Sequence, residues 1–361
     1  MVDVMESMRE IRTLARQVAA EQLRPGVERW DHDRAVDDGV LAQLAELGFF
    51  GMRVPEAFGG MEFDLPTYAA ALEELAWGEA GVALILARAT SAAELLLRHG
   101  SDAQKRRWLE RFAGGDVIGC TAAVEAGGTP PRATRQPDGW RVQGSAHFVV
   151  NGARAGVCLL RVIADDAGGE RVLIVATDTP GCTIAEREQT MGFRTVDVVT
   201  LAFDNVRVDD DGVLPPAAAA AITGIGRLST AAIGLGIARA ALDHALAYAA
   251  QREQFGQTLR SFEGIRLKLA DMAVRTEAAR ALVAAAAANP STLATAVAKI
   301  VASEAAMHVS TDAVQIFGGY GYMRDYPVEK LMRDAKGTEV LDGTNQQLRL
   351  LIAERLYSEG G

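Results

Sequence analysis

The chain has 361 residues, 49% of them apolar and 23% charged, with 37 basic against 47 acidic side chains and a formal charge of −10. That length allows about two domains around a substantial core. The acidic balance, with no basic cluster to offset it, excludes phosphate-backbone binding, so no nucleic-acid partner is expected.

The amino-terminal residues 1–6 are acidic and already helix-like, so they do not read as a secretory signal. The Ala-rich stretches are each cut by charge or Gly before they could span a bilayer. The expectation is a cytoplasmic protein without a membrane partner. Cys120, Cys158 and Cys182 lie far apart and give neither a disulfide framework nor zinc spacing. They read as small buried thiols, and no metal site is expected.

Residues 1–115 read as a helical domain. Arg9 to Leu23, Val40 to Leu47 and Thr67 to Trp77 carry apolar residues at three- and four-residue spacing, with Glu73 and Glu74 on the polar side. Gly48-Phe49-Phe50-Gly51 and Phe58-Gly59-Gly60 punctuate them as turns. A further amphipathic unit runs from Ala93 through Trp108-Leu109 to Gly114-Gly115. Residues 116–214 change to short β-rich runs: Trp140 to Gly144, His147 to Val150, Val157 to Val162, Arg171 to Ala176 and Val198 to Val208. Pro137-Asp138-Gly139 and Ala167-Gly168-Gly169 separate them as turns, and the regular spacing predicts an antiparallel sandwich or barrel. Residues 215–361 return to helix after Pro215-Pro216, with Ala217 to Ala221 as a short linker. Arg227 to Gln251, Ser261 to Ala288 and Ser291 to Phe317 are long enough for the arms of a four-helix bundle, broken sharply at Asn289-Pro290. The class is α+β.

Several strings in this order resemble the acyl-CoA dehydrogenase family. The clearest are Val54-Pro55-Glu56-Ala57-Phe58-Gly59-Gly60, Arg252-Glu253-Gln254-Phe255-Gly256, Gln315-Ile316-Phe317-Gly318-Gly319 and Tyr326-Pro327-Val328-Glu329-Lys330-Leu331-Met332-Arg333-Asp334-Ala335-Lys336. Leu341-Asp342-Gly343-Thr344 completes the carboxy-terminal signature. The resemblance implies FAD as cofactor and an acyl-CoA or acyl-carrier-protein thioester as substrate. It also implies a homodimer or homotetramer that passes electrons to an electron-transfer flavoprotein.

In that family a carboxylate removes the α-proton of the thioester while the β-hydrogen leaves as hydride to the flavin. The base position, usually Glu, is Asp342. One fewer methylene withdraws the carboxylate by about 1.5 Å. Three readings stay open at this point: a weakened or repositioned base, a substrate shaped to a shorter base, or a turn-forming Asp with no catalytic role. Some relatives carry the base beside the helix-opening arginine instead, but the neighbour of Arg227 here is Gly226. Arg227 is expected near the thioester, or else as a helix-surface arginine.

The resemblance places Arg252 and Phe255 against the FAD of a neighbouring subunit, with a guanidinium suited to its pyrophosphate. Gln315, Gly318 and Gly319 are implied on the adenosine side. Thr344 and Gln346 match further FAD-contacting positions, with helix capping as the alternative for Thr344. Phe148 keeps an aromatic wall for the flavin, while Val124 and Val150 stand where hydroxyls usually meet the ring. His32, His99, His147, His244 and His308 read as structural, and Glu62, Asp64 and Glu73 as solvated charges. Three functions compete: an acyl-thioester dehydrogenase, a non-catalytic or half-site subunit of a hetero-oligomer, and a scaffold turned to other flavin chemistry.

Overall fold

The computed structural model describes residues 2–123, 128–165 and 169–358. Val124 and the Ala167-Gly168 turn lie outside them. The first helices are α1 (Val2–Val18), α2 (Val27–Asp33), α3 (Asp38–Glu46), α4 (Leu65–Gly78), α5 (Ala80–His99) and α6 (Asp102–Ala113). The single amphipathic unit expected across Ala93 to Leu109 is two helices. Gly100 leaves the helical region (φ −73°, ψ 148°), and Ser101 and Gln104 restart the chain with a reciprocal capping box.

Glu73 and Glu74 are buried rather than solvated. Helix α4 is sandwiched, so its acidic side meets arginines instead of water. Arg239 donates to both carboxylates (2.6 and 2.8 Å), Arg12 donates to Glu74 and Arg280 to Glu73. Asp64 is likewise engaged, capping α4 by accepting from the Thr67 N–H at 2.8 Å. Helix α5, at 20 residues, is long and apolar enough to cross a membrane, contrary to the expectation that no stretch is; 94% of that window is buried inside the protein.

Among the described residues, eight strands follow in one mixed sheet: β1 (Gly119–Ala122), β2 (Arg132–Gln136), β3 (Gly139–Val150), β4 (Val157–Ala164), β5 (Glu170–Ala176), β6 (Cys182–Arg187), β7 (Val198–Val208) and β8 (Val213–Leu214). The order is β6-β7-β3-β2-β4-β5-β8, with β1 added onto β4. Most pairings are antiparallel as expected, but β1 and β2 both run parallel to β4. Strand β4 is buried on both faces. Cys158, Leu160 and Val162 pack with Val142, Leu201 and Phe203 inside the sheet, while Val157 and Leu159 pack against Leu96, Trp108 and Phe112 of α5 and α6. This period-two division fixes the sheet against the amino-terminal helices. Cys120 and Cys158 are buried free thiols, and Cys182 is half-buried.

The expected linker Ala217–Ala221 is a short helix, α7, consistent with five consecutive strong helix formers. Then come α8 (Arg227–Gln251), a hairpin of β9 (Glu253–Gln254) and β10 (Gln257–Thr258), α9 (Glu263–Ala288), α10 (Thr292–Phe317), α11 (Val328–Thr338) and α12 (Asn345–Ser358). Small residues on α8 let α10 and α4 approach closely: a Cβ on Gly234 would stand 3.1 Å from the Ala302 carbonyl, and one on Gly236 2.6 Å from the Glu73 carbonyl.

A buried cluster ties the three parts together. Lys330 of α11 donates to Glu79, at the start of α5, and to Asp334 (2.5 and 2.8 Å). Thr195 donates to Glu79, and the Phe193 N–H to Asp334. Burial pushes the Glu79 carboxyl upward, against the Lys330 charge.

Candidate active site

A cavity of about 330 Å³ opens where the three parts meet. Its walls come from α5 (Arg88), the end of β1 (Thr121, Ala122), β3 (Phe148, Val150), the start of α8 (Arg227) and the loop between α11 and α12 (Asp342). A larger cavity of about 660 Å³, lined by Arg24, Trp77, His244 and Tyr326, contains none of the candidate residues.

Strand β3 slips register between Ala146 and Val149, and this bulge turns its side chains. Phe148 adopts φ 56° and is 56% exposed, presenting its ring at the cavity. Val150 is buried in the cavity wall. His147, read as structural, also lines it, with Nδ1 3.1 Å from the Thr200 hydroxyl.

Asp342 and Gly343 both have positive φ (58° and 95°), which reverses the chain between α11 and α12. Asp tolerates that region better than most residues. The loop is held from below by buried Lys299 of α10. Its ammonium donates to the Glu339 carbonyl (3.0 Å), the Gly343 carbonyl (2.8 Å) and Asn345 Oδ1 (2.9 Å). Burial lowers the Lys299 pKa to about 8, partly offset by the Asp342 and Glu339 charges.

The Asp342 side chain is 10% exposed and makes a two-pronged ion pair with Arg88, Nη1 to Oδ1 at 2.6 Å and Nη2 to Oδ2 at 2.8 Å. The Thr230 hydroxyl also donates to Oδ2, at 2.5 Å. Burial pushes the carboxyl pKa up, but Arg88, Thr230 and Lys299 together hold it below the usual carboxylate range. The group is therefore ionised at neutral pH, with both oxygens occupied.

This arrangement depends on Gly226, the residue before α8. A Cβ there would stand 2.4 Å from Asp342 Oδ1 and 2.5 Å from Arg88 Nη1. The short Asp side chain thus reaches into the space that a side chain at 226 would fill. Arg227 is 8% exposed, and among the described residues its buried Nε has no hydrogen-bond partner. Burial pulls its pKa down, with the Asp342 charge opposing.

The remaining candidates do not join the cavity. Thr344 caps α12: its hydroxyl accepts from the Gln347 N–H (3.2 Å), and Gln347 Oε1 accepts from the Thr344 N–H (2.9 Å). Gln346 is exposed, and Gln347 lines the cavity instead. Arg252, Phe255, Gln315, Gly318 and Gly319 cluster at the opposite end of α8, a helix about 37 Å long. There the Arg252 guanidinium lies 5.4 Å from the Tyr320 ring, Phe255 is 94% exposed, and Gln315, Gly318 and Gly319 face outward. No group of three or more His, Cys, Asp or Glu suited to a metal occurs among the described residues.

Sequence comparison matches residues 5–116 to "Acyl-CoA dehydrogenase, N-terminal domain" and residues 217–357 to "Acyl-CoA dehydrogenase, C-terminal domain". The chain is 37% identical to an acyl-CoA dehydrogenase of Bacillus subtilis, over 96% of this chain and 97% of that protein. Among solved structures, butyryl-CoA dehydrogenase from Megasphaera elsdenii superposes with a TM-score of 0.93 at 36% identity, covering 97% of this chain and 98% of that one. A chain described under "Electron transferring flavoprotein of Acidaminococcus fermentans: Towards a mechanism of flavin-based electron bifurcation" gives 0.94 at 34% identity, again covering 97% and 98%.

Proposed function

The chain belongs to the acyl-CoA dehydrogenase family, and we propose that Asp342 is its α-proton acceptor. The protein is an FAD-dependent oxidoreductase acting on CH–CH groups. The residues fit a flavin. The bulge in β3 offers the exposed Phe148 ring, and β1 and β3 line the cavity beside it. When bound there, FAD supplies the acceptor for the β-hydride.

The remaining work falls to this chain. Phe148 and Val150, which line the cavity, would hold the ring side of the cofactor; the residue at 124 and Val150 offer no hydroxyl to it. Asp342 is presented into the cavity by its left-handed turn and the Lys299 support. It takes the proton once Arg88 or Thr230 yields one carboxylate oxygen. Arg227 adds positive charge where the thioester gains negative charge. Because its pKa lies low, Asp342 is a weaker base than an unpaired carboxylate, and rate depends on how far substrate loosens the fork. The observation that carries this reading is the shared cavity: one buried carboxylate, two guanidiniums and an exposed aromatic ring on one wall.

The second cluster serves a cofactor in another copy. Arg252 and Phe255, with Gln315, Gly318 and Gly319, sit too far along α8 to meet the same chain's cavity directly, and would hold the far end of the partner's FAD in a homodimer or homotetramer. An electron-transfer flavoprotein is the proposed acceptor, supported by the family and by the Acidaminococcus likeness.

A half-site subunit is the second reading, favoured by the full occupation of both Asp342 oxygens. Anaerobic titration of the purified protein with acyl-CoAs distinguishes the two. One flavin per chain that bleaches with a thioester supports the dehydrogenase. Colourless protein that acquires flavin only with a related subunit supports the half-site.

A further inference from the structure

Strand β3 carries one residue more than β7 at its bulge. Ala146 pairs with Leu201 and Val149 with Val199, so His147 and Phe148 together stand opposite Thr200. A regular strand would send two neighbouring side chains to opposite faces, and a bulge re-aims them. Here both line the cavity that holds Asp342. Phe148 is accounted for as the aromatic wall; the exposed imidazole beside it is not.

Hydrogen bonds fix the state of that imidazole. Thr200 is buried, and its hydroxyl donates to Glu188 Oε1 at 2.9 Å. A hydroxyl has one proton to give, so toward His147 Nδ1, 3.1 Å away, Thr200 Oγ1 accepts. The ring proton therefore sits on Nδ1. Nε2 is left as the bare nitrogen of the neutral ring, with no hydrogen bond of its own among the described residues. An oriented imidazole with one open nitrogen is built to take a proton.

Resting on the dehydrogenase reading, the cavity has two protons to handle. Asp342 takes the one from the α-carbon. The β-hydrogen reaches the cofactor as hydride, which is a proton with two electrons. An electron-transfer protein removes the electrons alone, so this proton leaves the cavity by another route. We propose that His147 Nε2 accepts it as the electrons depart. The bond between that proton and the cofactor breaks, the Nε2–H bond forms, and the exposed ring then gives the proton to water. Thr200 and Glu188 are positioning residues that keep Nε2 open.

Two measurements on the FAD-loaded protein test this. Heteronuclear NMR of the ring nitrogens in histidine-labelled native protein should find His147 protonated at Nδ1, and Thr200→Val should lose that preference. For the second, the flavin is reduced with dithionite, so that no thioester is needed, and reoxidised with ferrocenium, which takes electrons and no proton. His147→Gln should slow reoxidation by on the order of a hundredfold, the usual worth of a positioned proton acceptor. Added imidazole should restore part of that rate, and Thr200→Val should fall in between. A native ring protonated at Nε2 instead would overturn the proposal, and that arm needs no variant to fold. Reoxidation of His147→Gln within about twofold of the native rate would overturn it too, as would a slowing that imidazole does not relieve. Because dithionite replaces the substrate, these failures leave the dehydrogenase reading standing. A flavin that no thioester bleaches would remove that reading, and this one with it.

Discussion

Replacing Arg88 with Met removes one partner of a buried ion pair and leaves the Asp342 carboxylate with the Thr230 hydroxyl and the more distant charges of Lys299 and Arg227. Stranding a buried charge in this way costs about 3–5 kcal/mol. A chain of this length unfolds with an entropy of about 0.76 kcal/mol/K, so the expected loss is about 4–7 °C in Tm at neutral pH. The pH dependence gives the sharper test. In the native protein the Asp342 pKa is depressed, so its contribution is present above the unfolded value and fades only as pH falls through the folded one. Without Arg88, burial dominates and raises the pKa above the unfolded value, so acidification relieves the variant by protonating the group. The Tm gap should therefore be widest near pH 7.5 and shrink toward pH 4.5. Scanning calorimetry of both proteins across that range measures it. A gap under about 1 °C, or one that widens in acid, would refute the argument that Arg88 compensates a buried carboxylate.

Gly226→Ala should push a methyl into the Asp342–Arg88 pair and lower turnover by on the order of a hundredfold through displacement of about 1 Å, read by steady-state kinetics at full flavin occupancy. Lys299→Met should lower Tm by leaving the Glu339 and Gly343 carbonyls without their donor. Because the folded pKa of Lys299, about 8, lies below that of a free lysine, the wild type should gain on this variant as pH rises from 8 toward 10, by at most about 1.4 kcal/mol per unit. Arg252→Gln should weaken retention of FAD, seen as a lower flavin-to-protein ratio after dialysis, while the Tm of the flavin-free protein stays unchanged.

The features legible in the sequence are those with local signatures. Helix α8 begins and ends where its periodicity says, and the Asn289-Pro290 break separates α9 from α10. Asp342, Arg227, Phe148 and Val150 were each picked out by matching strings, and the fold brings them to one cavity. Arg88 was not, because its partner lies 254 positions away and nothing in helical spacing points to it. The available signal was a single charge, Arg88, within the apolar stretch Val82 to Ala93 of a buried helix. Thr230 and Lys299 were hidden for the same reason, as ordinary members of long helices. Glu73 departs from the solvated charge its sequence position suggests because the polar side of a helix need not be a wet one. In a helix packed on several sides, acids meet arginines from α1, α8 and α9. Thr344 carried two signatures at once, and the hydrogen bonds at the start of α12 show its hydroxyl engaged as a cap.

Everything chemical here rests on one stubby carboxylate taking a proton from carbon. Asp342→Asn should leave the protein yellow and able to bind thioesters, yet abolish both the bleaching of its flavin and the exchange of α-deuterium from labelled substrate into water. Retention of that exchange at the native rate would contradict the account outright.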